Sequence, residues 1–115
     1  MKDVTATLAR YIIASRFEDI PDAVRHEATR ALLNCLGCAI GSARHETVEN
    51  ALAAIREFSG PPQAAVLGRS ERLDILHAAL INGISTHVLD YDDTHARAVH
   101  PSAPVLPALL AYAEW

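Results

Sequence analysis

Hydrophobic residues recur along most of this chain at intervals of three and four positions, the spacing of one face of an α-helix. The pattern predicts a first helix at about residues 3–15 and a second that opens at Pro21 and stops near Gly41. A third helix is predicted to end at the turn of residues 59–62. Ser70 is the predicted cap of a fourth helix, which carries Leu73 and Ile84, and a fifth helix is predicted from about Ala103.

One segment does not fit the helical pattern. Residues 64–67 are too few for a helix between the turn of residues 59–62 and Gly68, so they predict a short strand. We therefore expect an all-α, predominantly helical fold with at most one short strand near residues 64–67.

Composition narrows the class of protein. The chain has 115 residues, of which 50% are hydrophobic and 5% aromatic, which suits one packed helical domain. A net charge of −4 with Lys2 as the single lysine excludes the basic surface typical of nucleic-acid binding. No apolar run is long enough to predict a membrane span, and the polar N-terminus lacks a signal-peptide pattern. We expect no membrane association and a cytoplasmic location.

Two cysteines stand at CxxC spacing, Cys35 and Cys38. This spacing occurs in redox pairs and zinc sites, but here it lies inside an apolar helical stripe and no second CxxC exists. We interpret both cysteines as small core residues.

The segment between the fourth and fifth helices carries the candidate chemistry. Residues 87–102 contain three aspartates, three histidines, a threonine and an arginine, and Asp and His are the side chains that most often move protons or bind metals. His100 is the strongest single candidate, since it lies just before the fifth helix, whose N-terminus favours an anion. Asp92 and Asp93 are expected to fix the loop through capping or backbone hydrogen bonds. His26, His45 and His77 lack such surroundings and are expected to carry no chemistry.

Other functions remain open at this point. His87, Asp90, His95 and His100 could bind the divalent ion of a metal-dependent hydrolase. The Asp-x-Asp-Asp-Thr pattern that ends at Thr94 also occurs in class II terpene cyclases, but two Phe, three Tyr and one Trp cannot line a carbocation cavity. A third possibility is a non-catalytic helical fragment that binds a partner through uncovered apolar faces.

Several segments together resemble the MmgE/PrpD family, which includes 2-methylcitrate dehydratase, cis-aconitate decarboxylase and iminodisuccinate epimerase. They are Ile20-Pro21, residues 31–37, residues 65–68, Asn82-Gly83, the Asp-Tyr-Asp-Asp-Thr run at 90–94 and the segment that begins His100-Pro-Ser. The resemblance implies a mostly helical domain followed by a smaller α+β domain, a homodimer, and a cleft for small polycarboxylates that uses no metal or organic cofactor. Residues 1–115 would be an N-terminal fragment of the helical domain, and a helix still in progress at Trp115 fits that expectation.

The resemblance also implies roles for residues. Asp90, Thr94 and His100 match the family's catalytic positions, and Arg97 and Ser102 are further candidates for substrate binding. His100 would act as acid or base, Asp90 would orient the imidazole or a substrate hydroxyl, and Thr94 would donate to a carboxylate. Arg97 either pairs with a substrate carboxylate or balances the loop carboxylates. We expect a lyase, resembling 2-methylcitrate dehydratase, that is inactive as this chain alone; dehydration, decarboxylation and epimerisation stay open. Asn34 departs from the family, which commonly has Asp there, at a position interpreted as structural.

Overall fold

The computed structural model describes residues 3–97 and 99–115 and confirms a predominantly helical fold. The described residues form five α-helices: α1 (Val4–Ala14), α2 (Asp22–Gly41), α3 (Glu46–Ile55), α4 (Ile75–His87) and α5 (Leu106–Glu114). One turn of 3-10 helix, Phe17–Asp19, connects α1 to α2. The first three helices lie where the hydrophobic spacing predicts them, and Asp3 caps α1 by accepting from the Ala6 amide at 3.0 Å.

A two-stranded antiparallel hairpin separates α3 from α4. Its strands are β1 (Ala64–Ala65) and β2 (Arg72–Leu73), with Ala64 opposite Leu73. The strand predicted near residues 64–67 is therefore present, but Leu73, predicted in the fourth helix, is a buried strand residue. The predicted cap at Ser70 is also wrong. Asp74 caps α4 instead, because its carboxylate accepts from the free amides of Leu76 and His77, each at 3.1 Å.

The turn between the two strands is held against α2 and α3. Gly68 adopts a φ of +72°, and a Cβ added there would lie 2.8 Å from the Ala43 Cβ. The next side chain, Arg69, is only 3% exposed and pairs with Glu49 at 2.6 Å and Glu71 at 2.7 Å. It also donates to the Ala43 carbonyl at 2.9 Å. The Arg69 guanidinium lowers the pKa of Glu71 to about 2, and the two carboxylates raise the pKa of Arg69.

Helix α4 anchors the hairpin through one buried amide side chain. Asn82 is 2% exposed; its Oδ1 accepts from the Leu67 amide at 2.9 Å and its Nδ2 donates to the Ala65 carbonyl at 3.0 Å. One side chain thereby satisfies a donor and an acceptor on the hairpin that no neighbouring strand can reach.

The hydrophobic core forms around α4, which packs against α2, α3 and α5. A helix that is apolar on most sides is the kind that becomes buried at the centre of a bundle. The buried core residues come from α3, the hairpin, α4 and α5: Val48, Leu52, Ala64, Val66, Leu73, Ala78, Ile81 and Ala111.

The fifth helix begins three residues later than predicted, at Leu106 instead of Ala103. The Ser102 carbonyl accepts from the amides of Val105 and Leu106, which closes a turn ahead of the helix. Pro104 disfavours helical backbone at Ala103, which explains the later start, and Pro107 lies in the first turn of α5.

Large apolar surfaces stay exposed on this chain. Helix α1 has no buried residue, and its Ile12 and Ile13 are 70% and 85% exposed. Such faces are typical of surfaces that another segment or another molecule covers, and the homodimer that the family resemblance implies stays a prediction. No helix within the described part of the chain is long and apolar enough to cross a membrane.

Candidate active site

The Asp/His segment leaves α4 at His87 and returns to the start of α5, so that both ends of the loop lie close together. His100 lies between two carboxylates of this loop. Its Nε2 is 3.1 Å from Asp90 Oδ1, and its Nδ1 is 3.3 Å from Asp92 Oδ1. The His100 side chain is 17% exposed, so one edge of the ring reaches solvent while most of it is enclosed.

Asp92 lies at the centre of this cluster. Its side chain is fully buried, and its Oδ1 also lies 3.0 Å from His87 Nδ1. The His87 and His100 rings meet edge to face, with centroids 4.6 Å apart. A buried carboxylate between two imidazoles is a typical means of holding and moving protons. For Asp92, the predicted role in capping or backbone hydrogen bonding is wrong, because its contacts are with these two rings.

Asp93 does fix the loop, as predicted. Its carboxylate accepts from the Ser102 hydroxyl at 2.6 Å and from the Ser102 amide at 3.3 Å. Its own amide donates to Asn34 Oδ1 of α2 at 2.9 Å, and Asn34 Nδ2 reaches the Tyr91 carbonyl at 3.4 Å. Asn34 thus holds the loop against α2, in agreement with a structural interpretation of that position.

Two non-glycine residues of the loop adopt left-handed backbone conformations. The φ angles are 57° at Asp90 and 56° at Val99. Asp tolerates this region, but a β-branched valine there is strained. The amides and carbonyls of His95 and Val99 pair with each other at 2.8 and 2.9 Å, closing a tight loop just before His100. Backbone strain of this kind concentrates at functional sites.

The remaining predicted site residues lie outside the His100 cluster. Thr94 and Arg97 are exposed, and Arg97 forms no ion pair with any carboxylate of the described residues. The Arg97 amide donates to His95 Nδ1 at 3.2 Å. Ser102 is 7% exposed and its hydroxyl is bound to Asp93. Substrate binding by Arg97 and Ser102 and a catalytic role for Thr94 stay predictions.

A cleft of about 810 Å³ opens beside the cluster, between one face of α4 and the beginning of α5. His87 and His100 lie at one end, and the walls are mostly apolar, including Leu80, Ile84 and Pro107. The described lining residues include no lysine or arginine. A cleft with a few polar groups at one end of an apolar surface is typical of small-molecule sites.

The same cluster offers donor atoms for a cation. One donor atom from each of His87, Asp90, Asp92 and His100 lies within 4.8 Å of the others. The set proposed from sequence contained His95 where the structure has Asp92. His95 is exposed and is not part of the cluster. Its backbone pairs with that of Val99, and its ring accepts from the Arg97 amide.

The two cysteines are free and do not join the site. Cys35 is buried, with its Sγ 3.5 Å from Thr86 Oγ1, whereas Cys38 is half-buried. Burial raises the pKa of both thiols, and the nearby Asp92 and Asp93 carboxylates act in the same direction. A raised pKa keeps a thiol protonated and unreactive, in agreement with a core role.

Comparison with known proteins identifies the family. Residues 6–115 match the family model described as MmgE/PrpD N-terminal domain. The chain is 31% identical over 115 residues to the cis-aconitate decarboxylase of Mus musculus and 32% identical to that of Homo sapiens, covering 99% of this chain and 24% of each relative. The cis-aconitate decarboxylase of Aspergillus terreus is 30% identical over 112 residues, which cover 96% of this chain and 23% of the relative. The chain therefore spans about a quarter of the length of these relatives.

Proposed function

The chain belongs to the MmgE/PrpD family, and on that premise we propose that the full-length protein in which it occurs is a lyase acting on a small polycarboxylate. The observation that carries this proposal is the placement of His100, between two carboxylates and at the end of a cleft. An imidazole in that position can act as a general base or a general acid. The family relation supports the substrate class, which the apolar walls of the cleft alone do not indicate.

The reaction we favour is decarboxylation of a cis-aconitate-like tricarboxylate. The bond between a carboxylate and its neighbouring carbon breaks, CO₂ leaves, and the electron pair stays on carbon as an allylic carbanion. His100 Nε2–H then gives its proton to that carbanion, and solvent returns a proton to the ring. The names of the relatives support this choice. Dehydration of 2-methylcitrate, the reaction of a hydro-lyase, is the alternative, and it needs the same proton carrier.

The loop residues around His100 have proposed roles in that scheme. Asp90, whose side chain is 80% exposed, can move aside to admit a substrate group to His100 Nε2. In the alternative dehydration it can accept a hydrogen bond from the 2-methylcitrate hydroxyl. Thr94 and Arg97 are exposed on the same loop and can donate to substrate carboxylates, Arg97 in a bidentate manner. Ser102 contributes to substrate binding only if its hydroxyl leaves Asp93. We further propose, as the family relation implies, that the full-length protein uses no cofactor, forms a homodimer and is cytoplasmic.

The test is turnover by the full-length protein with cis-aconitate and with 2-methylcitrate, measured as CO₂ release and as formation of the unsaturated product. We expect His100→Ala to lower the turnover rate by about 10²–10⁴-fold, the scale of a lost acid–base group. His45→Ala is the matched control, because His45 caps α3 through a 3.2 Å contact with the Thr47 amide and lies outside the cluster. Full activity in a folded His100→Ala protein would overturn the proposal. CO₂ release from cis-aconitate without dehydration of 2-methylcitrate would decide between the two reactions.

A metal-dependent hydrolase is the second candidate, favoured by the four converging donors of His87, Asp90, Asp92 and His100. Calorimetric titration of the chain with Zn²⁺ and Mn²⁺ tests it. Stoichiometric binding that is lost in Asp92→Asn would support this candidate, whereas the family relation predicts no uptake.

A further inference from the structure

Asp92 differs from the other carboxylates of the loop in its surroundings. Asp90 is 80% exposed and Asp93 is bound to Ser102, whereas the Asp92 side chain is fully buried. Its nearest polar neighbours are the Nδ1 atoms of two imidazoles, His87 at 3.0 Å and His100 at 3.3 Å. A buried carboxylate needs hydrogen-bond donors, and among the described residues the two rings lie at donor distance from Asp92.

We infer that Asp92 is a positioning residue that holds both imidazoles with a proton on Nδ1, which leaves His100 Nε2 as the atom that exchanges protons. This inference rests on the proposed role of His100 in proton transfer. Asp92 is not among the residues that line the cleft, whereas His87 and His100 are, so we infer that it acts through the two rings and does not touch substrate.

Two unpaired atoms support the assignment. His100 Nδ1 and Asp92 Oδ2 are both buried and have no hydrogen-bond partner among the described residues. One can donate and the other can accept, and they belong to groups already in contact at 3.3 Å. A hydrogen bond from His100 Nδ1–H to Asp92 would remove the cost of leaving this donor unsatisfied. Asp92 Oδ1 then remains for His87.

The consequence for proton transfer follows from the two nitrogens of the ring. The hydrogen bond made by one imidazole nitrogen decides which nitrogen carries the proton. With Nδ1–H directed at Asp92, the neutral His100 ring has its lone pair on Nε2, and the protonated ring can release only the Nε2 proton without losing the Asp92 contact. Nε2 lies 3.1 Å from Oδ1 of Asp90, whose side chain is 80% exposed, so this nitrogen is on the less enclosed side of the cluster. His87, which lines the same cleft, is held in the same tautomer by the same carboxylate.

The tautomers can be measured on the 115-residue chain without any substrate. Long-range ¹H–¹⁵N correlation spectra, recorded at a pH where both rings are neutral, distinguish Nδ1–H from Nε2–H. An imidazole free in water favours Nε2–H, so we expect the opposite signature for both His87 and His100. Nε2–H at His100 in the unmodified chain overturns the inference. This result does not depend on any variant being able to fold.

Variants then identify the residue responsible. Asp92→Asn offers one acceptor oxygen where the carboxylate offers two, so at least one ring should lose its Nδ1–H signature. Asp90→Asn is the matched control: it alters the carboxylate at the other edge of His100 and should leave Nδ1–H in place. Unchanged tautomers in a folded Asp92→Asn chain would contradict the inference.

Kinetics of the full-length protein separate this inference from the proposed function. Asp92→Asn should lower kcat at least about 10-fold, with KM within about threefold of the unmodified protein, since the rings would lose orientation and not substrate contacts. Unchanged kcat in the folded variant overturns the positioning role. Absence of polycarboxylate turnover in the unmodified protein would refute the proposed lyase function, and the tautomer measurements would still decide the role of Asp92.

Discussion

Among the described residues, Asn82 makes the only hydrogen bonds from a side chain of α4 to the hairpin backbone, and Asn82→Ala removes them. The substitution leaves the Leu67 amide and the Ala65 carbonyl without their partner, because Asn82 Oδ1 and Nδ2 satisfy them at 2.9 and 3.0 Å. Each backbone group left unsatisfied costs about 1–3 kcal/mol when it is buried. Ala65 and Leu67 are half-buried, so water can reach them in part and the lower end of that range applies.

The expected loss in the free energy of unfolding is about 2 kcal/mol. This figure combines about 1–1.5 kcal/mol for each of the two backbone groups with a gain of about 0.6 kcal/mol from the better helix propensity of alanine. The loss would be a large share of the total stability of a domain of this size, which is typically about 5–15 kcal/mol.

Urea unfolding followed by circular dichroism measures the loss, with the slope of the transition checked for constancy. Asn50→Ala is the matched control, because Asn50 is exposed on α3 and makes no side-chain hydrogen bond with the described residues, so the same exchange should stabilise the chain slightly. Hydrogen exchange gives a local readout: the Leu67 amide should lose protection in Asn82→Ala and keep it in Asn50→Ala. Equal stabilities of the two variants, or an unchanged Leu67 exchange rate, would refute the argument.

Two further predictions concern the turn of the hairpin. Gly68→Ala should destabilise the chain by about 2–4 kcal/mol, because Gly68 has φ +72° and an added Cβ would lie 2.8 Å from Ala43 Cβ. Gly37→Ala is the control: Gly37 has open space around it inside α2, so this variant should be about 0.5–1 kcal/mol more stable than the unmodified chain. Thermal melts measure both, and a melting temperature for Gly68→Ala at or above that of the unmodified chain would contradict the strain argument. Glu71 has a pKa lowered to about 2 in the folded chain, so its contribution to the free energy of unfolding is present above the unfolded pKa of 4.5 and is lost as the pH falls toward 2. Glu71→Gln should therefore be less stable than the unmodified chain by about 1–2 kcal/mol at neutral pH and equally stable near pH 2. A difference in urea midpoints that does not change with pH would refute this.

The helices could be predicted because apolar residues recur along each of them at helical spacing. In α2 to α5 some of these residues are buried, whereas α1 has no buried residue. The first strand of the hairpin was predicted only because its segment is too short for a helix, and the second strand was missed. Strands of two residues leave no alternation to detect, and Leu73 suits a helix and a strand equally well. Ser70 and Asp74 are both good capping residues, and the choice between them depends on the pairing of Leu73 with Ala64, a contact between distant residues.

In the candidate site, too, the sequence predicted what depends on neighbouring residues and not what depends on contacts between distant ones. The density of Asp and His, together with the family resemblance, was enough to single out Asp90 and His100, and the structure brings both together. The distinction between Asp92 and Asp93 was not predictable from adjacent, chemically identical residues. It depends on which of them faces α2 and which faces the imidazoles.

The loop around His100 contains features that lower the free energy of unfolding and that a simple connection between two helices does not need. A fully buried carboxylate, a valine at φ 56° and two unpaired buried atoms each oppose folding, and a chain selected for stability alone would avoid all three. The neighbouring contacts offset those costs at defined places: Asn34 holds the amide of Asp93 against α2, and Asp93 holds Ser102 at the turn before α5. These contacts fix the loop on both sides of the cluster without touching either imidazole. The two rings therefore contact Asp92 on their buried side and line the cleft on the other side, and the proposed proton transfer depends on this placement.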